Sequence, residues 1–161
     1  MMGRSNTDFE IFKEATLMPG AERLIRHLHR NNIPISIATS SYRTFYEVKI
    51  TNHTELFSLF GENVICGDDP KIKNPKPHPD IFHCSRDLLD STIKDEECLV
   101  FEDAINGVRS GVSAQMKVVW IPDARFIDID NFPPDNYGAH EVINSLSDFI
   151  PEKYGLPPFQ D

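Results

Sequence analysis

The sequence predicts an α/β protein built on a parallel sheet, and three observations carry that prediction. Helical and strand patterns alternate along the 161 residues. Two strand segments, 33–38 and 98–101, are runs dense in apolar residues, as strands covered on both faces are. Polar clusters follow the strand segments: Thr39-Ser40-Ser41, Gly67-Asp68-Asp69, Glu102-Asp103 and Asp123. Such sheets gather ligands at the carboxyl ends of their strands.

Each element has its own signal. Pro19-Gly20 opens a helix with Ala21, Leu24, Ile25 and Leu28 on one face, and Asn31-Asn32 ends it. Segment 33–38 is a buried strand with Pro34 at its start. Thr39-Ser40-Ser41 closes the strand and is expected to cap the next helix, which carries Phe45 and Val48. Val64-Ile65-Cys66 is a short strand. A loop rich in turn formers follows, holding Gly67-Asp68-Asp69-Pro70 and Asn74-Pro75-Lys76-Pro77-His78-Pro79. Pro79 suits the first position of a helix through Ile81, Phe82, Leu88 and Leu89. Strand 98–101 leads into Glu102-Asp103 and a helix over about 104–115. Strand 117–121 stops at Pro122-Asp123, and Val142-Ile143 forms a last strand. Ser145 with Asp148 resembles a capping box. Connections between parallel strands are right-handed crossovers.

Composition limits the function classes. The chain is 40% hydrophobic, 25% charged and 10% aromatic, which fits a globular domain rather than a disordered one. A formal charge of −9 argues against non-specific nucleic-acid or anionic-membrane binding, though not against a small anionic substrate. Cys66, Cys84 and Cys98 are scattered and odd in number, without a C-x-x-C pair, so reduced thiols in a cytoplasmic protein are expected. Residues 1–10 lack a signal-type apolar stretch, and no run is long enough to span a membrane. Asn52-His53-Thr54 therefore reads as a chance match to a glycosylation acceptor.

Three sets of residues could carry chemistry. Thr39 and Ser40, between a strand and a helix, offer hydroxyls and N–H groups to a phosphate. Lys76 is held between Pro75 and Pro77, with Pro79 beyond, which stiffen the backbone and fix the direction of its ammonium, and a positioned lysine can neutralise charge on a phosphoryl group. Glu102 and Asp103, two adjacent carboxylates, are hard oxygen ligands of the kind Mg²⁺ takes. Each alone has a plainer reading: a helix cap, a solvated lysine, a capping Asp. Gly107 suggests close backbone approach. The six histidines form no metal cluster. His27 and His29 are expected to face solvent, and metal roles for His78 and His83 are weak. Trp120, Phe101 and Phe82 are expected in the core. There is no Ser-His-Asp order, Walker loop or G-x-G-x-x-G.

In order and spacing these residues resemble three motifs of the haloacid-dehalogenase-like (HAD) hydrolase superfamily. Ile35-Ser36-Ile37-Ala38-Thr39-Ser40-Ser41 is similar to its second motif. Lys76 in Asn74-Pro75-Lys76-Pro77-His78-Pro79-Asp80 is similar to the third, and Leu99-Val100-Phe101-Glu102-Asp103-Ala104 with Gly107-Val108 to the fourth. The likeness runs from about Ala15 to the end. It extends to a branch that hydrolyses a nucleoside 5′-monophosphate, through Ala15-Thr16-Leu17-Met18-Pro19-Gly20, Phe57-Ser58-Leu59-Phe60 and Tyr154-Gly155-Leu156-Pro157.

The resemblance implies a Rossmann-like core domain over 19–161, with 1–18 the end of a helical cap or linker. It implies an Mg²⁺-dependent phosphomonoesterase acting on a phosphorylated small molecule such as a nucleotide monophosphate. Thr39 and Ser40 would bind phosphate, Lys76 would balance charge, Asp103 would bind the metal directly and Glu102 through water. The family's Asp-x-Asp-Gly strand, source of its nucleophile and its general acid/base, has no counterpart in these residues; Asp128-Ile129-Asp130 has the Asp spacing but continues Asn131-Phe132. A truncated core is therefore expected: inactive by itself, or a non-catalytic binding protein, with a vacant strand position between 33–38 and 98–101 and self-association through bare strand edges. Pro75 stands where the family has Gly, His78 where it has Ala or Asp, and Gln115 where a Gly would favour the left-handed backbone.

Overall fold

The computed structural model describes residues 13–123, 125 and 135–160. Asp128-Ile129-Asp130 lies outside them. Ten elements follow one another: α1 (Ala21–Arg30), β1 (Ile37–Thr39), α2 (Arg43–Lys49), α3 (Thr54–Phe57), β2 (Val64–Cys66), α4 (Asp80–Leu89), β3 (Leu99–Glu102), α5 (Ile105–Ser113), β4 (Lys117–Trp120) and β5 (Glu141–Val142). Two 3₁₀ turns, Leu146–Asp148 and Pro151–Tyr154, come last.

Among the described residues all strand pairing is parallel, as the apolar strands predict, but it falls into two sheets. One is β1-β2, with Ile37 opposite Val64 and Thr39 opposite Cys66. The other is β3-β4-β5, with Leu99 opposite Lys117, Glu102 opposite Trp120 and Val119 opposite Glu141. Among the described residues no strand lies between β1 and β3, as expected, and a cavity of about 410 Å³ separates them. The first strand is accordingly shorter than 33–38, because β2 offers only three residues to pair with.

Helices cover the sheets. α4 lies against β1 and β2, and α5 against β3 and β4. On that side Ile65, Phe82, Val100, Val108, Val118 and Trp120 form the main core. On the other side Leu24 and Leu28 of α1 join Val119, Ile121, Leu146 and Phe149. Trp120 is fully buried, and its indole N–H donates to Asp103 O at 3.0 Å, so a core residue also fixes the chain at a candidate metal ligand. Phe82 is buried as expected and Phe101 is half-buried.

Four expectations need correction. His27 does not face solvent: it is 1% exposed, its Nε2 lies 2.8 Å from Pro157 O, and its ring packs on Phe159. The carboxyl-terminal tail covers that side of α1; His29 is exposed. Thr39, Ser40 and Ser41 do not cap α2. That helix begins only at Arg43, and its first N–H donates to Asp68 Oδ1 at 2.9 Å. Pro79 sits at the cap position of α4, one residue before its first turn. Ser145 accepts from Ser147 N at 3.1 Å over a 3₁₀ turn rather than forming a capping box with Asp148. Gln115 does adopt the left-handed backbone, φ 62°.

Candidate functional site

The residues singled out above meet at the carboxyl ends of β1 and β3. Lys76 comes from the long loop before α4, where Asp80 accepts from the N–H groups of Lys73 and Asn74 at 3.1 and 2.9 Å and ties the loop to the helix. The Lys76 side chain is 10% exposed. Its Nζ donates to Ala38 O at 3.2 Å, the carbonyl of the peptide group leading into Thr39, and to Glu102 Oε1. The ammonium also lies 4.9 Å from the centre of the Phe82 ring. One lysine thus spans the ends of the two sheets.

Glu102 is the last residue of β3, and its side chain is 9% exposed. Burial pushes its carboxyl above the ordinary range, while the Lys76 charge and hydrogen bond and the Ala104 N–H pull it back down. The reason it fits is Gly107 in α5. A Cβ there would overlap the Glu102 carboxylate, so only glycine lets the helix backbone lie against it. The close approach read from the sequence has its cause in that carboxylate.

Thr39 Oγ1 accepts from Ser41 N at 3.1 Å, which occupies an acceptor position and leaves its proton free to donate. Ser40 is exposed. Gly67 of the β2 loop packs so closely on the Ser40 carbonyl that no side chain could stand there. Asp103 is exposed beside Glu102. One further residue reaches this end that the sequence reading missed. Lys49 Nζ donates to Ser41 Oγ at 2.9 Å, whereas the Arg43 guanidinium turns to Val64 O at the start of β2, away from the site. Lys49 stands eight residues beyond Ser41, a spacing that marks nothing until α2 is known to start at Arg43.

His78 is exposed, and its carbonyl accepts from Ser110 Oγ at 2.6 Å. His83 lies beside Ala114 O and Asp95, at 3.4 and 3.6 Å. Neither histidine joins a set of ligands: among the described residues no group of three or more His, Cys, Asp and Glu could hold a metal. The donor set is the carboxylate pair, with Glu102 already engaged by Lys76. That fits Mg²⁺ in the manner it commonly binds, through one or two carboxylates while keeping several waters and sharing phosphate oxygens. It does not fit a closed Zn²⁺ site.

The fold and these residues define a HAD-type core. The family model for haloacid dehalogenase-like hydrolases matches residues 2–115. The chain is 45% identical over 158 residues to a protein of Drosophila melanogaster named probable pseudouridine-5′-phosphatase, covering 98% of this chain and 66% of the relative. It is 46% identical over 153 residues to (DL)-glycerol-3-phosphatase 2 of Arabidopsis thaliana, covering 94% and 61%. A solved HAD hydrolase of Entamoeba histolytica, family IA variant 3, superposes with a TM-score of 0.75 at 25% identity, over 94% of this chain and 71% of that one. The chain belongs to the haloacid dehalogenase-like hydrolase family, and it spans less than two thirds of the length of these two curated relatives.

Proposed function

We propose that these residues form the phosphate-holding and charge-balancing part of a phosphomonoesterase site. The observation that carries this is Lys76, whose ammonium sits between the Ala38 carbonyl and the Glu102 carboxylate where two parallel sheets end. Thr39 donates its free hydroxyl proton to a phosphate oxygen, and Ser40 offers its hydroxyl and N–H. Lys76 offsets the anion's charge and is itself held by Glu102. Asp103 would hold Mg²⁺ directly, and Glu102 would reach it through a water. When bound, that ion supplies positive charge to the phosphate oxygens. The names of the two relatives support a phosphorylated small molecule as ligand, and a nucleotide monophosphate, pseudouridine 5′-phosphate, is the candidate to test first, ahead of glycerol 3-phosphate.

A hydrolase that works through an aspartyl-phosphate needs a carboxylate aimed at the phosphorus. Among the described carboxylates at the strand ends, Asp103 and Glu102 are assigned to the metal and to Lys76, Asp68 and Asp69 accept from backbone N–H groups, and Asp123 pairs with Arg125, so these residues hold phosphate without a nucleophile of their own. Three free cysteines support a reducing, cytoplasmic setting. Among the described residues no helix is long and apolar enough to cross a membrane.

The test is phosphate binding and turnover measured on one preparation. Inorganic phosphate, titrated with ³¹P NMR detection in the presence of Mg²⁺, is expected to bind the chain and to lose affinity in Thr39→Ala and Lys76→Met. Release of phosphate from pseudouridine 5′-phosphate is expected to match a heat-killed control. Turnover that Asp103→Ala abolishes would show the chain complete as a catalyst. Phosphate binding unchanged in both variants would remove the site.

A further inference from the structure

Ser41 is held at each of its three polar atoms by a different part of the chain. Its N–H donates to Thr39 Oγ1 at 3.1 Å. Its carbonyl accepts from the Gly67 N–H, in the loop after β2, at 3.0 Å. Its hydroxyl oxygen accepts from Lys49 Nζ at 2.9 Å. Lys49 is the last residue of α2, and its side chain runs back past the start of the helix, the way helical side chains lean. Asp68 takes the first N–H of α2, so Ser41 is not spent on the helix terminus.

The two backbone contacts fix where Ser41 stands. What they leave loose is its hydroxyl, and Lys49 sets that. An ammonium carries donors and no acceptor, whereas a hydroxyl has a single proton and two lone pairs. Lys49 therefore takes a lone pair of Ser41 Oγ and cannot take its proton. Among the described residues no acceptor takes that proton either. Thr39 is in the same condition one step further on, because its Oγ1 accepts from the Ser41 N–H and keeps its proton to give. The contacts from Lys49 through Ser41 to Thr39 thus turn two neighbouring hydroxyls into donors at the carboxyl end of β1. Neighbouring donors of this kind suit a ligand that only accepts, and an ionised phosphoryl group is such a ligand.

We propose that Ser41 is a second hydroxyl donor to the phosphate beside Thr39, and that Lys49 is the positioning residue that aims it. The proposal rests on the phosphate-holding reading above and adds to it one hydroxyl and one lysine beyond Thr39, Ser40 and Lys76. Lys49 acts through Ser41 and not as a charge on the phosphate. Two consequences separate this from a purely structural role. Arginine, which also carries donors and no acceptor, can stand in for Lys49. With the Ser41 hydroxyl gone, Lys49 has nothing left to aim, and its loss then costs no further affinity.

A double-mutant cycle on the whole chain tests it. The probe is inorganic phosphate with Mg²⁺ present, followed by ³¹P NMR in about 0.15 M salt to screen bulk charge. Ser41→Ala is expected to weaken phosphate binding at least about tenfold, as the loss of a hydrogen bond to a charged group does. Lys49→Met should weaken it severalfold and by no more than Ser41→Ala does. Lys49→Arg should stay close to the parent. Ser41→Ala combined with Lys49→Met should match Ser41→Ala alone. Losses that add in the combined variant would make Lys49 a charge in its own right and overturn its positioning role. Should Lys49→Met fail to fold, Ser41→Ala, which removes one half-buried hydroxyl, keeps the test. Unchanged affinity in Ser41→Ala overturns the proposal, and the phosphate site itself then stands if Thr39→Ala and Lys76→Met still lose affinity. Unchanged affinity in all three removes the site and this proposal with it.

Discussion

Gly107 and Glu102 are in contact across the β3–α5 turn: the helix backbone at Gly107 lies where a side chain would overlap the Glu102 carboxylate. A methyl group at 107 must push Glu102 away, and Glu102 is what holds Lys76. Gly107→Ala should therefore destabilise the fold by about 1–3 kcal/mol, the range for overpacking, although alanine is the better helix former by about 1 kcal/mol. Urea unfolding checks it. An increase in stability would mean that Glu102 moves without cost.

Lys76→Met leaves Glu102 buried without its cation. Removing one partner of a buried pair costs about 3–5 kcal/mol, whereas Lys76→Met with Glu102→Gln together should cost less than the first change alone. The pH dependence follows from the direction of the Glu102 shift. A carboxyl whose folded pKa lies above its unfolded value favours folding while protonated, and loses that advantage as pH rises from the unfolded value through the folded one. Without Lys76 the folded value rises further. Lys76→Met should thus be closest to the parent in acid and fall away toward neutral pH in urea unfolding at several pH values.

Asp68 caps α2 from the other side of the site. Asp68→Ala should cost about 1 kcal/mol, while Ser41→Ala, at the position where a local cap was expected, should leave the helix in place. Thermal unfolding of the two variants separates them. Equal losses would mean that the serine caps the helix after all.

The same contrast shows what the sequence can carry. The parallel strands, Lys76 between its prolines and the glycine at 107 were legible, because periodicity, apolar runs and backbone constraint are local signals; the left-handed Gln115 came only from the family resemblance. The cap of α2 was not, since its donor and acceptor stand 25 residues apart and a closer serine offered the same chemistry. His27 was misplaced for a related reason. Spacing on one helix tells which residues share a face, and says nothing of a tail that returns to cover it, as Pro157 and Phe159 do. The two-residue spacing of His27 and His29 separated their faces, and only the fold decided which one is buried.

The edge of the second sheet sets an acid limit. Glu141 of β5 accepts from Lys153 Nζ at 2.6 Å and from the Tyr154 hydroxyl at 2.9 Å, which ties the last 3₁₀ turn to the strand. Foremost the Lys153 hydrogen bond, and then the Tyr154 one, hold its carboxyl below the ordinary range, against some burial. A depressed carboxyl contributes stability that is present above its unfolded pKa and is lost as pH falls through the folded one. The parent should therefore lose stability more steeply than Glu141→Gln between about pH 5 and the depressed value, and the two slopes should converge below it. Lys153 is half exposed, so the effect should shrink as salt is raised. Tyr154→Phe removes one of the two bonds and should give an intermediate slope. Urea midpoints measured across the acid range decide this. Parallel slopes for parent and Glu141→Gln would mean that the tail is held by its apolar contacts, Tyr154 stacked on Phe149 among them, and not by this carboxylate.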